Sequence, residues 1–313
     1  MRNILLLGAN GQVGFELARV LPPLGNLLCS TRSGRAGVAA CRAADLAERG
    51  ALTRMLDAVQ PAVIVNAAAY TAVDRAEDEP ALAQRINGEM PGEIGTWAAR
   101  HNAAVLHFST DYVFSGDGDR PWREDDDTAP LGEYGRSKLA GEQALAASGC
   151  NHLILRTAWV YAARGHNFLL SMLRLARQRD ELRVVADQHG SPTPAASIAA
   201  ATALLLARWL PMPDEARDER SGVYHLTSAG ACTWHQFAEA IVERGHAVGL
   251  LSRRVPVVAI GSDEFPTRAK RPTWSVLDCS RLRETFDLVL PDWRRGLDLV
   301  LADLVAAGPV HTE

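Results

Sequence analysis

Tyr134 and Lys138 stand four residues apart, with Ser109-Thr110-Asp111 upstream. On a helix, residues i and i+4 share a face, so a phenol and an ammonium placed this way can point into one cleft. An ordinary phenol has a pKa of about 10 and exchanges protons poorly at neutral pH. A lysine charge nearby stabilises the phenolate and lowers that value. The Thr110 hydroxyl can hold a substrate oxygen beside the phenol. These are the parts needed to reduce a carbonyl or oxidise an alcohol. A Y-x-x-x-K spacing alone also fits an ordinary helix with a solvated lysine and a half-buried tyrosine, so the assignment rests on its surroundings.

Those surroundings begin at the N-terminus. The apolar run Ile4-Leu5-Leu6-Leu7, within Arg2–Leu7, suits a buried parallel strand. Gly8-Ala9-Asn10-Gly11-Gln12-Val13-Gly14 follows, then a helical stretch Phe15–Leu21 that stops at Pro22-Pro23. Strand, glycine turn and helix is the context of a dinucleotide site. Gly8 allows the tight turn, Gly11 lets the backbone approach a pyrophosphate, and Gly14 lets the helix pack close to the strand. The helix N-terminus supplies N–H groups and positive dipole for the anion. The spacing is G-x-x-G-x-x-G, similar to that of short-chain dehydrogenases. After the second expected strand, Asn26–Ser30, there is no acid for a ribose 2′-hydroxyl; Ser30, Thr31, Arg32 and Arg35 stand there instead. Arginine accepts a 2′-phosphate bidentately, which favours NADPH and leaves NADH possible. Further on, Asp45 and Leu46 offer an acceptor and an apolar neighbour for adenine.

Further elements alternate. Strands are expected at Ala62–Val65, Ala104–Phe108 and His152–Leu155, and helices at Leu82–Asn102 and Ser137–Ala147. That rhythm implies right-handed crossovers and a parallel sheet covered by helices on both faces. The 313 residues allow one large or two medium domains, and 47% hydrophobic with 22% charged residues is ordinary for a soluble globular chain. A net charge of −4 gives no case for nucleic acid or an anionic membrane. Cys29, Cys41, Cys150, Cys232 and Cys279 form no CxxC pair, so reduced thiols in a cytoplasmic protein are expected. The first strand is too short for a signal peptide, and the apolar stretch Ile198–Ala207 is about half a membrane span. The acidic segment Asp117–Thr128 lacks the spacing of a calcium loop, and no HExxH pair is present, so no metal is assigned.

Taken together, GANGQVG, VNAAAYTAVDRAE, HFSTDYVFSG, YGRSKLAGE, LRTAWVYA, GHNFLLSMLRL, DQHGSPT and KRPTWSVLD make the chain resemble an extended short-chain dehydrogenase. More narrowly, it is similar to the dTDP-4-dehydrorhamnose reductase family over Gly8 to Asp278, with STDYVF and RTxWVY separating it from sugar-nucleotide epimerases. The resemblance implies NADPH-dependent reduction of dTDP-4-dehydro-β-L-rhamnose, the last step to dTDP-β-L-rhamnose, a precursor of cell-surface polysaccharide. It implies Tyr134 as general acid, Lys138 as its pKa-lowering partner and ribose ligand, and Thr110 as the hydroxyl on the substrate carbonyl. It places Asn10, Gln12, Val13, Asp45, Leu46, Ala67, Ala68, Ala69, Tyr70 and Ser109 around the cofactor. Val73, Asp74, Asp111, Tyr112, Trp159, Asn167 and Arg271 would face the nucleotide sugar. Trp159 could pack on the deoxysugar and Arg271 could neutralise diphosphate; otherwise Trp159 is core and Arg271 a surface residue. One departure is Ala158, where related sequences often carry serine. Family members differ in using metal-bridged dimers, so a homodimer is possible.

The expected fold is a Rossmann-like, doubly wound α/β sheet with a smaller C-terminal substrate lobe. Residues 1–160 with about 192–225 form the NADP-binding domain, and about 161–191 with 226–313 the lobe. Two other classes of function are open at this point. One is an epimerase or dehydratase on the same fold, recycling its NAD; the other is a non-catalytic dinucleotide sensor.

Overall fold

A computed structural model describes residues 1–35 and 41–308. Its first half runs β1 (Asn3–Leu7), α1 (Gln12–Val20), β2 (Asn26–Thr31), β3 (Cys41–Ala43), α2 (Ala51–Val59), β4 (Val63–Asn66), α3 (Val73–Ala76), α4 (Pro80–Ala83), α5 (Met90–His101), β5 (Ala104–Thr110), α6 (Glu133–Ala146) and β6 (His152–Thr157). A second half follows with β7 (Val160–Tyr161), α7 (Phe168–Gln178), β8 (Leu182–Val185), β9 (His189–Gly190), β10 (Thr193–Pro194), α8 (Ala195–Trp209), α9 (Asp214–Glu219), β11 (Gly222–His225), β12 (Cys232–Thr233), α10 (Trp234–Ala247), β13 (Val257–Ile260), α11 (Ser280–Phe286) and α12 (Trp293–Ala306).

Seven parallel strands pair in the order β11-β6-β5-β4-β1-β2-β3. The order reverses at β1, giving the doubly wound sheet that the alternation predicts. The apolar run of β1 explains why it is central. Ile4 and Leu6 bury on one face with α1, α8 and α11, and Leu5 and Leu7 bury on the other with α2, α5 and α6. A separate cluster joins α7, β8, α10 and α12. The stretch Ile198–Ala207 lies within the largely buried α8. Among the described residues no helix is long and apolar enough to cross a membrane.

The five expected strands agree with the sequence to within two residues, while β3 and β11 of the same sheet were not expected; four helical features differ, α1 starting at Gln12 rather than Phe15. The stretch expected as one helix over Leu82–Asn102 is α4, then a π turn over Gln84–Glu89, then α5. Helix α6 starts at Glu133, a full turn before the expected Ser137, because its first free N–H meets the Glu77 carboxylate at 2.8 Å. Helix α2 was not expected: it has no side-chain cap to mark its start, although Leu52, Met55, Leu56 and Val59 give it a clear apolar face.

Candidate active site

The turn after β1 opens onto a cavity of about 470 Å³ at the carboxyl ends of β1, β2 and β4. Gly8 has φ +77°, and a Cβ there would lie 2.6 Å from the Ala68 nitrogen. A Cβ on Gly14 would collide with the Gly8 carbonyl, so only glycine lets α1 start this close to the strand. Gly8, Asn10, Gly11, Ser30, Arg32, Asp45, Leu46, Ala67, Ala68 and Ala69 line the cavity. Gly11, the N-cap of α1, is exposed, and the buried Ser30 Oγ has no partner among the described residues. Unspent N–H groups at a helix start, an unpaired hydroxyl and a basic edge suit a dinucleotide with a phosphorylated ribose. Arg32 also borders an adjoining cavity of about 340 Å³ with Arg42, which the sequence reading passed over.

Other expected cofactor residues take different positions. Val13 packs against the sheet core. Gln12 Oε1 accepts from Asn167 Nδ2 at 2.8 Å. The Tyr70 hydroxyl donates to Glu79 Oε2 at 2.7 Å, while Asn87 holds both ends of its peptide. Ser109 Oγ is buried without a partner among the described residues. Arg35 is exposed, and its backbone N–H donates to Thr31 Oγ1 at 3.1 Å.

Tyr134 sits in the first turn of α6, over the end of β5. Side chains on Gly135 and Gly141 would strike the Tyr112 and Asn87 carbonyls, so these glycines let α6 lie against both neighbouring turns. Thr110 Oγ1 donates to Asp111 Oδ1 at 2.9 Å and accepts from the Tyr112 N–H at 3.2 Å. The Tyr112 and Tyr134 rings meet edge-on at 5.8 Å. Burial pushes the Tyr134 phenol up to about 12, against the pull of the Thr110 hydroxyl, and the Asp111 charge adds to the rise. Asp111 is itself buried, which raises its carboxyl to about 6 against hydrogen bonds from Ser275 and Thr110.

The expected lowering of the tyrosine pKa by lysine is corrected here. Lys138 Nζ donates to the Phe108 carbonyl at 2.6 Å and lies 3.3 Å from His107 Nε2. Its Nζ is turned to β5, and desolvation dominates the phenol. Burial also draws Lys138 down to about 8, with Glu142 opposing.

Val73, Tyr112, Tyr134, Ala269, Lys270 and Pro272 share a tight cleft. Asp74 clamps its far wall: Oδ1 accepts from the Ala269 N–H at 3.1 Å and Oδ2 from Arg271 Nη2 at 2.8 Å. The Arg271 guanidinium lies 6.0 Å from the Tyr112 ring centroid, and its buried Nη1 has no partner among the described residues. Trp159 stands apart from this cleft. With φ +48° it stacks on Trp234, ring centroids 3.5 Å apart and planes 5° off parallel. Asn167 caps α7 through the Leu170 N–H, and its amide nitrogen also meets the Ala162 and Arg164 carbonyls. Among the described residues, no three His, Cys, Asp or Glu side chains are grouped to hold a metal.

Residues 1–306 match the family model described as RmlD substrate binding domain. A dTDP-4-dehydrorhamnose reductase from Burkholderia thailandensis is 46% identical over 309 residues, covering 97% of this chain and 99% of that one. The chain belongs to the dTDP-4-dehydrorhamnose reductase family. A second reductase of the family, from Escherichia coli K12, is 43% identical over 311 residues, with 96% and 98% covered. The crystal structure of a dTDP-4-dehydrorhamnose reductase from Bacillus anthracis in complex with NADP superposes with a TM-score of 0.85 at 31% identity, covering 96% of this chain and 99% of that one. Within the reductase family's frame, the sequence reading overlooked Asn66, His107, Glu142 and Arg156. Each is a buried polar residue; for Asn66, His107 and Arg156 the available signal was a polar residue in an apolar strand run, and Glu142 on α6 left none of that kind.

Proposed function

We propose that this chain is an NADPH-dependent reductase that converts dTDP-4-dehydro-β-L-rhamnose to dTDP-β-L-rhamnose. The observation that carries the reading is that Tyr134 and Tyr112 meet in one cleft, with Thr110 bonded to the Tyr112 N–H, in a chain of this family that also carries the dinucleotide cavity. The glycine turn, Ser30, Arg32, Asp45 and Leu46 would hold NADPH, which supplies the hydride when bound. Tyr134 is the proton donor to the 4-keto oxygen. A phenol held at about 12 is fully protonated at neutral pH, as a donor must be. Thr110, on turning its hydroxyl from Asp111, steadies the same oxygen as negative charge develops on it. Lys138, one turn from Tyr134 on α6, would orient the ribose as an ammonium. Val73, Asp74, Asp111, Tyr112 and Arg271 bind the nucleotide sugar; the Arg271 Nη1 is the donor available to a phosphate oxygen.

In this reading the sheet unit, 1–160 with about 192–225, carries the cofactor, and about 161–191 with 226–313 the sugar nucleotide. Support comes from the separate core of α7, β8, α10 and α12, although α11 packs back on the sheet. Five free cysteines support a cytoplasmic location.

The test is a panel of 4-keto nucleotide sugars with NADPH, followed at the nicotinamide absorbance, for wild type and Tyr134→Phe. The variant keeps the ring and the cofactor site but loses on the order of 10² to 10⁴ in kcat. Retention of more than about half the wild-type kcat removes Tyr134 as the acid. No net NADPH consumption on any sugar would point to an epimerase instead.

A further inference from the structure

His107 takes no part in the steps above, yet it is fully buried on β5 between Asn66 of β4 and Lys138 of α6. Hydrogen-bond polarity runs through it in one direction. The Ala68 N–H can only donate, and it meets Asn66 Oδ1 at 3.2 Å. Asn66 Nδ2, a donor, is therefore the atom 2.9 Å from His107 Nδ1, which must accept. Burial first, and the neighbouring Lys138 second, hold this imidazole far below its ordinary pKa, so it is neutral. A neutral ring with a bare Nδ1 carries its proton on Nε2. That N–H faces Lys138 Nζ at 3.3 Å. Lys138 also donates to the Phe108 carbonyl, so it satisfies both neighbours only as an amine with its lone pair toward the ring. An ammonium there meets a donor. To receive it, the ring must shift its proton to Nδ1 and Asn66 must turn its carbonyl to the ring. The Ala68 N–H, in the floor of the cofactor cavity, then loses its acceptor.

We propose that His107, gripped by Asn66, is a positioning residue that biases Lys138 toward its neutral amine and ties the lysine's charge to hydrogen bonding at Ala68. The inference rests on the reading of Lys138 as the partner of Tyr134. His107 and Glu142 are the titratable groups that act on the lysine directly, and the others lie on the elements around it. Tyr134 and Glu142 lie on its own helix, His107 on β5, Asp111 just after β5 and Arg156 on β6, with Arg156 held by Glu142 at 2.7 Å. Across the π turn, Arg85 is held by Glu93 of α5 at 2.6 Å and by Glu89, and the group reaching α6 is the neutral Asn87 amide, at Ser137. Glu142 supports the charge and burial opposes it, leaving Lys138 at about 8, where a single hydrogen bond decides its form near neutrality.

The test follows the His107 tautomer by ¹⁵N NMR on the full chain labelled at histidine, the signal being assigned by its loss in His107→Gln. The ring should pass from Nδ1–H to Nε2–H as pH rises through a midpoint near 8, coincident with the basic limb of the kcat profile. Asn66→Asp can accept from the Ala68 N–H and the ring together, which releases the bias. In that variant His107 should stay Nδ1–H throughout and the basic limb should move up by about one pH unit, a tenfold change in lysine acidity. His107→Leu in the Asn66→Asp background should cancel that move, separating relay through the ring from simple charge. A single tautomer across the range in wild type overturns the proposal, even if Asn66→Asp fails to fold. So does a limb that Asn66→Asp leaves in place, or that shifts equally without the ring. The Tyr134→Phe result is independent of all these outcomes, so failure here leaves the assigned reaction standing.

Discussion

Burial acts in opposite senses on the two groups first noticed in the chain, raising the Tyr134 phenol to about 12 and lowering Lys138 to about 8. For the lysine this is a cost to the fold. Its pKa in the folded chain lies below its unfolded value of about 10.5, so between pH 8 and 10.5 the unfolded chain binds more protons and stability rises with pH. The penalty is fully present below pH 8 and absent above 10.5. Lys138→Met removes it, so the stability of the variant relative to wild type should fall by about 3 kcal/mol as pH rises across that window, in denaturant melts at each end. A flat difference would mean that Lys138 titrates normally. Arg32 gives a second prediction. Its exposed guanidinium borders both adjoining cavities. Arg32→Ala should weaken NADPH about ten- to hundredfold and spare NADH, measured by titration of each cofactor. Equal loss for both would place it outside the phosphate site. The residue types were legible in the sequence; their surroundings were not. Nothing in Tyr-x-x-x-Lys says that the ammonium turns to the Phe108 carbonyl, because that geometry depends on β5 passing beneath α6.

Among elements, the glycine turn and the alternating strands could be read directly, because a buried parallel strand and a tight turn each leave a local signature. The π turn could not. One extra residue per turn looks in sequence like an ordinary helix, yet it is what brings the Asn87 amide to both the Tyr70 peptide and Ser137. The start of α6 was misread for a related reason, since its cap comes from Glu77, 56 positions earlier. Asn167 is another junction of this kind, joining the α7 start to Gln12 of the cofactor loop. Asn167→Ala should cost roughly 1–2 kcal/mol as a lost N-cap and weaken NADPH binding as well, seen in melts and cofactor titration together. A loss of stability with unchanged cofactor affinity would confine its part to α7.

At the scale of the whole molecule, one wall of the Tyr134 cleft is carried on a segment nearly 200 positions from its anchor. Asp74, after β4, holds Ala269 and Arg271. Sequence order gave no notice of that clamp; family resemblance picked out both ends without joining them. Because Arg271 lies away from the dinucleotide cavity, Arg271→Ala should raise KM for the nucleotide sugar at least tenfold and leave NADPH affinity alone. A matching loss of cofactor affinity would instead mean that the clamp supports the whole site. Asp74→Asn, which keeps one acceptor for the Ala269 N–H, should give a smaller rise.

The stacked indoles of Trp159 and Trp234 join the loop after β6 to the first residue of α10. Two such chromophores, nearly parallel and 3.5 Å apart, share their excited states. The molecule thus carries an optical strain gauge between the end of β6 and α10. Any ligand that slides α10 against the sheet will alter the near-ultraviolet circular dichroism and the emission of this pair, with no label attached.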